Sequence, residues 1–223
     1  MMIRRRVELP RPAFVLITDS RRRHDRRAEG EEWIHDVVRE AVLGGVNVVQ
    51  LREKHLPRGE LIALGLHVRD AIARRALFFV NGDIHAAVAL AADGVHLPEG
   101  GLSIEDARRL AGDDMLISRA VHSVDAAIRA QHDGADLIQL GTVFETGSKP
   151  HAHPIGLEGV REVCNAVFTP VIAIGGINHR NAPEVMRAGA AGVAAIGAIF
   201  DADDPRRAAV ELRNAVSGIT AVR

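Results

Sequence analysis

The sequence predicts a (β/α)8 barrel. Eight short runs rich in apolar and β-branched residues recur along the 223-residue chain, and segments with a helical period separate them. The runs are continuously apolar instead of alternating with polar residues, which is typical of parallel strands that are buried on both faces. Eight strand–helix units in a chain of this length describe a closed parallel barrel.

The elements follow one another in regular order. The predicted strands are FVLIT (14–18), VNVVQL (46–51), LFFVN (77–81), DGVHL (93–97), MLISRA (115–120), DLIQLG (136–141), PVIAIG (170–175) and GVAAIG (192–197). The clearest helical segments are EEWIHDVVREAVLG, RGELIALGLHVRDAIARR, SVDAAIRAQHDG and NAPEVMRAGA. A doubly wound open sheet is the alternative, but the first strand runs into ITDS and lacks a glycine-rich dinucleotide-binding turn. We expect an N-terminal extension over 1–12, whose order stays open, and one barrel domain over 13–223.

Charge and composition argue against several classes of protein. The chain has 28 Lys and Arg against 29 Asp and Glu, a formal net charge of -1, so no global field attracts nucleic acid or an anionic membrane. The single cysteine, Cys164, cannot form an internal disulfide, which favours a reducing compartment. The early apolar segment AFVLI is too short for a signal peptide, and no segment is long enough to span a bilayer. These features predict a soluble cytoplasmic protein.

An arginine cluster follows the first predicted strand, in RRRHDRR (21–27). Two interpretations are open, an anion-binding patch and a solvated loop. Acidic residues and a histidine interrupt the cluster and no aromatic residue accompanies it, which favours the solvated loop.

In a barrel of this kind, the carboxyl ends of the strands and the loops after them form the active-site face. The residues that the pattern places there are Asp19, Arg52, Glu53, Lys54, Asn81, His96, His122, Thr142, Thr146, Ser148, Lys149, Gly175, Gly176 and Gly197. The set is rich in cations, hydroxyls and glycines, and it contains no evident metal cage.

Glycines provide the clearest local signal. AIGGIN, with Gly175 and Gly176, follows the seventh strand, and AIGA, with Gly197, follows the eighth. Free backbone N–H groups at two neighbouring loops, with the amino end of a following helix, predict a phosphate-binding site. The alternative is that these glycines only make tight turns.

Two further segments carry polar groups to the same face. In QLREK, Arg52 and Lys54 alternate, so both can face a pocket and hold a carboxylate or phosphate while Glu53 points away; an exposed charged loop is the alternative. The loop GTVFETGSKP follows the sixth strand, and its Thr146, Ser148 and Lys149 could close over an anionic ligand. The nearby HAH pair lacks an acid or cysteine partner and does not predict a metal site.

His122 lies in ISRAVHSVDAA (117–127), where an apolar run meets a helical pattern. A histidine at a strand end is either a hydrogen-bonded structural residue or a group that transfers protons near neutral pH. On this pattern alone both interpretations stay open.

Several segments resemble the thiamine phosphate synthase superfamily over nearly the whole chain beyond the first dozen residues. They are VVQLREK, FFVNGDIHAAVALAADGVHLPEGG, SRAVHSVDAA, GADLIQLGTVFETGSKP and PVIAIGGINHRNAPEVMRAGAAGVAAIGAIF. The resemblance implies one of two activities. The synthase joins a pyrimidine diphosphate to a thiazole phosphate with magnesium, and the thiazole tautomerase isomerises a thiazole phosphate precursor.

Two departures from the synthase pattern favour the tautomerase. The chain has Gly82 and Gly101 at the places where the resemblance implies magnesium-binding acids, and Asp83 and Glu99 are near but displaced. VNG, VHLP and VFET also resemble the tautomerase branch. The retained REK and the Thr146, Ser148 and Lys149 set favour the synthase, as the alternative.

The expected function is therefore a metal-independent thiazole tautomerase, an isomerase without a cofactor. His122 is its expected base and acid, Gly175, Gly176 and Gly197 its phosphate site, and the substrate-binding residues are Arg52, Lys54, Asn81, Thr146, Ser148 and Lys149. The alternatives are a magnesium-dependent thiamine phosphate synthase and a noncatalytic barrel that binds thiazole phosphate. The expected partner is a small thiazole phosphate, with no nucleic acid or membrane, and a homodimer is one open oligomeric state.

Overall fold

The computed structural model describes residues 7–22, 32–148 and 153–219 and contains a closed barrel of eight parallel strands. The strands are β1 (Ala13–Ile17), β2 (Val48–Leu51), β3 (Leu77–Asn81), β4 (Gly94–Leu97), β5 (Leu116–Val121), β6 (Leu137–Gly141), β7 (Val171–Ile174) and β8 (Gly192–Ala195). Each pairs with the next, and β8 pairs with β1 in the register Phe14↔Val193, which closes the barrel. The predicted (β/α)8 barrel is confirmed.

The helices surround the strands in the order that the sequence predicts. They are α1 (Glu32–Leu43), α2 (Arg58–Ile72), α3 (Ile84–Ala89), α4 (Ile104–Ala111), α5 (Val124–His132), α6 (Gly156–Ala166), α7 (Ala182–Arg187), α8 (Gly197–Phe200) and α9 (Pro205–Val216). No helix in the described ranges is both long and apolar enough to cross a membrane.

Side-chain caps determine where several helices begin. Ser123 accepts a hydrogen bond from the backbone N–H of Ala126 at 3.2 Å and so begins α5. The strand before it, β5, ends at Val121, one residue beyond the predicted run. His122 is thus the single residue between the strand and the cap, and both neighbouring elements constrain its backbone.

The barrel interior changes from apolar to polar along the strands. Buried apolar side chains such as Val15, Val48 and Phe79 fill its lower part. Val7 and Leu9, the first apolar residues described, are half-buried against this cluster, whereas residues 1–6 of the expected extension lie outside the described residues. Towards the carboxyl ends of the strands the interior becomes polar, and this polar layer forms the floor of a cavity.

Gly94 in β4 makes room for the large ring of Phe79. A Cβ at Gly94 would lie 2.7 Å or less from three carbons of the Phe79 ring, which is 2% exposed. We therefore expect Gly94→Ala to lower the free energy of unfolding by about 1–3 kcal/mol through overpacking, measured by urea denaturation. Gly100→Ala is the control, because a Cβ there meets nothing within 4 Å. An unchanged stability in Gly94→Ala, or no recovery on adding Phe79→Leu, would contradict this explanation.

Candidate active site

A cavity of about 480 Å³ opens at the carboxyl ends of the strands. Every described residue to which the sequence analysis gave a catalytic or binding role lines it: Arg52, Lys54, Asn81, His122, Thr146, Ser148, Gly175, Gly176 and Gly197. Lys149 lies outside the described residues. The barrel topology has thus brought together residues as far apart in the sequence as Arg52 and Gly197.

The REK segment after β2 divides its charges between two sides. Glu53 is 4% exposed and turned away from the cavity, where it accepts hydrogen bonds from the backbone N–H and the hydroxyl of Ser20, the latter at 2.6 Å. The backbone N–H of Arg52 donates to Thr18 Oγ1 at 2.9 Å. These hydrogen bonds hold Arg52 and Glu53 in place, and the side chains of Arg52 and Lys54 both line the cavity. This is the alternation that the sequence predicts.

His122 is paired with an acid at the cavity mouth. Its Nδ1 lies 2.6 Å from Glu99 Oε2, and the two side chains are 42% and 43% exposed. A carboxylate acceptor at Nδ1 holds the N–H on that nitrogen of a neutral imidazole, so a proton that the neutral ring accepts goes to Nε2. Sequence reasoning considered Glu99 only as a displaced metal ligand and missed this pairing.

Arg119 holds the loop that carries Glu99. It is buried at the side of β5, and its guanidinium donates to the carbonyls of Pro98 and Leu102, each at 2.6 Å. Burial lowers the pKa of Arg119, and the charges of Asp133 and Glu99 partly oppose that shift. Sequence analysis assigned no role to Arg119. The structure shows that it positions the β4–α4 loop instead.

Removal of the Arg119 guanidinium should loosen this loop. We expect Arg119→Met to speed amide hydrogen exchange in the 98–102 loop and to lower the free energy of unfolding by about 2 kcal/mol, because the carbonyls of Pro98 and Leu102 lose a charged donor in part-buried hydrogen bonds. Hydrogen-exchange mass spectrometry measures the first effect. Arg161→Met, at an exposed side chain on α6, is the control. Wild-type exchange rates in the loop of Arg119→Met would contradict the assigned role.

The glycine turns after β7 have a packing explanation as well as a binding one. Gly175 and Gly176 have φ of 109° and 65°, and a Cβ at Gly176 would fall 2.5 Å from the carbonyl oxygen of Glu145. The two loops therefore need glycine in order to approach each other, with or without a ligand. The expected contribution of a helix amino end at Gly197 is small, because α8 has only four residues.

The loop after β6 contributes hydroxyl groups to the cavity wall. Thr146 is half-buried, and its Oγ1 accepts a hydrogen bond from the backbone N–H of Ser148 at 3.4 Å. The Ser148 hydroxyl in turn accepts from Arg22 at 2.9 Å. Arg22 belongs to the arginine cluster interpreted from sequence as a solvated loop. In the structure its side chain is only 20% exposed and lines the cavity.

The cavity floor contains buried polar residues that sequence reasoning missed or did not assign. Gln139 Nε2 donates to Gln50 Oε1 at 3.3 Å, and His96 Nδ1 lies 2.9 Å from Ser118 Oγ. Gln50 Nε2 is buried and has no hydrogen-bond partner among the described residues. These polar residues occur at inward positions of otherwise apolar strands. That exception to the apolar pattern is the signal that could have identified them.

The acids near the cavity do not fit a magnesium ion held by the protein. Asp83 caps α3 through Ala86 and accepts from Arg58 Nε at 2.6 Å, while Glu99 pairs with His122. Burial raises the pKa of Asp83, but its hydrogen bonds to Arg58 and Ala86 bring the net pKa below the ordinary value. In the ranges that the structure describes, no three His, Cys, Asp or Glu side chains are grouped to hold a metal.

Comparison with known proteins identifies the family. The family model described as thiamine monophosphate synthase matches residues 14–199. The chain belongs to this family. It is 43% identical over 183 residues to the thiamine-phosphate synthase of Chloroflexus aurantiacus, an alignment that covers 81% of this chain and 84% of that protein. The thiamine-phosphate synthase of Pyrococcus furiosus is 40% identical over 196 residues, covering 87% and 93% of the two chains.

A solved structure agrees with these relatives. Thiamine phosphate pyrophosphorylase from Pyrococcus furiosus superposes with a TM-score of 0.83 at 38% identity, covering 93% of this chain and 96% of that one. The likeness therefore extends over the barrel and its loops.

The predicted superfamily is confirmed, but the predicted activity is wrong. We expected a thiazole tautomerase, an isomerase, whereas these members of the thiamine monophosphate synthase family are named synthases, which are transferases. The prediction gave too much weight to Gly82 and Gly101. The retained REK segment and the hydroxyls of the β6–α6 loop were the better guide to the branch.

Proposed function

We propose that this chain is a thiamine-phosphate synthase, a transferase that joins hydroxymethylpyrimidine diphosphate to thiazole phosphate. One observation carries the proposal: a single cavity collects three cations (Arg22, Arg52 and Lys54), a floor of amide side chains and two glycine turns. Each of the two substrates carries an anionic group and an uncharged heterocycle, and these groups of the cavity can bind both parts. The names of the relatives support the same reaction.

The reaction forms one bond and breaks another, and each change involves one electron pair. The thiazole nitrogen attacks the methylene carbon of the pyrimidine substrate, a C–N bond forms, and the C–O bond to diphosphate breaks with its electron pair on the leaving oxygen. The nitrogen uses its lone pair and has no proton to lose. Catalysis therefore depends on alignment of the two substrates and on stabilisation of the departing charge.

Cations on one wall of the cavity suit the leaving group. We assign the diphosphate to Arg52, Lys54 and the β6–α6 loop with Thr146 and Ser148, and extend this assignment to Lys149 as a prediction. The guanidinium and ammonium groups meet the charge that develops as the C–O bond breaks. The described acids do not form a magnesium site, so we route no step through that metal.

Gln50 suits the pyrimidine. A buried amide N–H without a partner is costly in the free protein, and a ring nitrogen is an acceptor that can satisfy it. Asn81 lines the same cavity and is assigned to this substrate. The glycine turns with Gly175, Gly176 and Gly197 are assigned to the thiazole phosphate, whose oxygens can accept from backbone N–H groups.

His122 has a different role in a synthase from the one expected in a tautomerase. No proton need leave the thiazole, so we assign His122 as a hydrogen-bond donor from Nε2 to the diphosphate when the imidazole is protonated, with Glu99 on Nδ1. A homodimer and a cytoplasmic location remain predictions.

The test is direct. Purified protein is given hydroxymethylpyrimidine diphosphate and thiazole phosphate, with Mg²⁺ in one arm and EDTA in the other, and thiamine phosphate and released diphosphate are quantified. We expect thiamine phosphate and released diphosphate to form in equal molar amounts. If neither product forms while thiazole phosphate binds, the noncatalytic barrel is the better assignment.

A further inference from the structure

A second cavity adjoins the first at the mouth of the barrel. It has a volume of about 620 Å³, and five residues line both cavities: Arg22, Arg52, Lys54, Gly147 and Ser148. The second cavity also contains Arg21 and His55, with Asp19, Glu53 and Asp201 as acids. The wall between the cavities is therefore strongly cationic, and Arg22 lies in it beside the two cations already assigned to diphosphate.

Arg22 joins three loops of the active-site face. Its two terminal nitrogens donate to Asp201, next to α8, and to Ser148 in the β6–α6 loop. Its Nε lies 3.4 Å from Asp19 Oδ2 in the loop after β1. A Cβ at Gly197 would lie 2.5 Å from Arg22 Nη1. The guanidinium therefore covers one of the two glycine turns. One planar cation thus lies between the assigned diphosphate loop and the assigned phosphate turn.

We propose that Arg22 is a further anion-binding residue of this site, which donates to phosphoryl oxygens of a substrate at the junction of the two cavities. The inference rests in part on the proposed function, because the anion is a phosphate or diphosphate group. A guanidinium presents five N–H donors in one plane and suits phosphoryl oxygens in a bidentate manner.

The present contacts of Arg22 leave it able to take such a ligand. Asp201 is 50% exposed, so its ion pair with Arg22 is screened by water and can be exchanged for a more highly charged phosphoryl group. Arg22 Nε is buried and makes no hydrogen bond among the described residues. A substrate anion would add donor–acceptor pairs here, at a wall that Arg22, Arg52 and Lys54 share.

A purely structural role for Arg22 makes a different prediction. An arginine that only ties the β1, β6 and β8 loops together would affect stability and leave anion affinity unchanged. An anion-binding arginine affects affinity in a folded protein. Binding must therefore be measured apart from stability and apart from turnover.

The experiment is isothermal titration of the full chain with inorganic diphosphate and, separately, with inorganic phosphate, in EDTA. We expect Arg22→Gln to weaken binding of at least one anion by about tenfold or more. Arg22→Lys should weaken it less, because lysine keeps the charge and loses only the bidentate geometry of the guanidinium. Arg207→Gln is the matched control, since Arg207 is 77% exposed on α9 and lines neither cavity. It should bind both anions as the wild type does.

Each outcome has one meaning. Loss for diphosphate alone assigns Arg22 to the leaving group, loss for phosphate alone assigns it to the phosphate turn, and loss for both assigns it to the junction. Wild-type affinity in Arg22→Gln for both anions, or binding of neither anion by the wild type, overturns the proposal. If Arg22→Gln fails to fold, as seen by circular dichroism, Arg22→Lys decides in the same way. Arg22-dependent binding without thiamine phosphate formation would uphold this inference while the proposed function failed.

Discussion

Arg52→Gln is expected to lower kcat/KM for thiamine phosphate formation by about 10²–10³-fold, the loss typical of removing one donor that stabilises developing negative charge. The leaving diphosphate gains a further negative charge as the C–O bond breaks, and Arg52 lines the cavity from a backbone position that Thr18 holds. The substitution keeps a polar side chain and removes its charge. Steady-state kinetics with varied pyrimidine diphosphate measures the effect.

Two comparisons make the Arg52 result specific. Arg52→Lys keeps the charge without the bidentate geometry and should lose about tenfold, and the thermal midpoint of both variants should stay close to that of the wild type because the side chain is not part of the core. Activity within threefold of the wild type in Arg52→Gln would remove Arg52 from the diphosphate site.

Gln50→Met should separate activity from stability. The side chain is 3% exposed, and its Nε2 lacks a hydrogen-bond partner among the described residues, so methionine removes an unpaired donor while it fills a similar volume. Gln139 then loses its acceptor, and the two effects on stability offset each other to within about 1 kcal/mol. Activity should fall by about 10–100-fold, because the pyrimidine loses a buried hydrogen bond.

The readouts for Gln50→Met are urea denaturation and kcat/KM on the same preparation. Gln131→Met, at an amide that binds the backbone of Phe168 and Thr169 outside the cavity, is the control, and it should change stability without changing kcat/KM. Full activity in Gln50→Met would show that the pyrimidine does not use this amide.

The barrel could be predicted because its strands are buried on both faces. Continuous apolar runs such as LFFVN and GVAAIG have few other stable arrangements, and LFFVN was predicted with the observed bounds of β3. Strand ends were less certain: β8 stops at Ala195 and is followed by a four-residue helix, where a strand to 197 was expected. Local sequence does not contain the tertiary contacts that determine such ends.

The site could be predicted where the position of a residue along a strand determines the direction of its side chain. Arg52 and Lys54 face the cavity because side chains alternate, and Glu53 turns away for the same reason. Arg22 and Glu99 were not identified as cavity residues because their places depend on partners far along the chain, Asp201 for one and His122 for the other. Such pairings follow from closure of the barrel and not from any local pattern.

The contacts of Arg119 bear on how this active site could be transplanted. The β4–α4 loop carries Glu99, but the donors that hold the carbonyls of Pro98 and Leu102 come from β5, the strand that also leads to His122. A designer who grafted the loop alone onto another barrel would move the acid without its anchor. The smallest portable unit is the loop together with β5 and His122, because that piece keeps acid, histidine and guanidinium together.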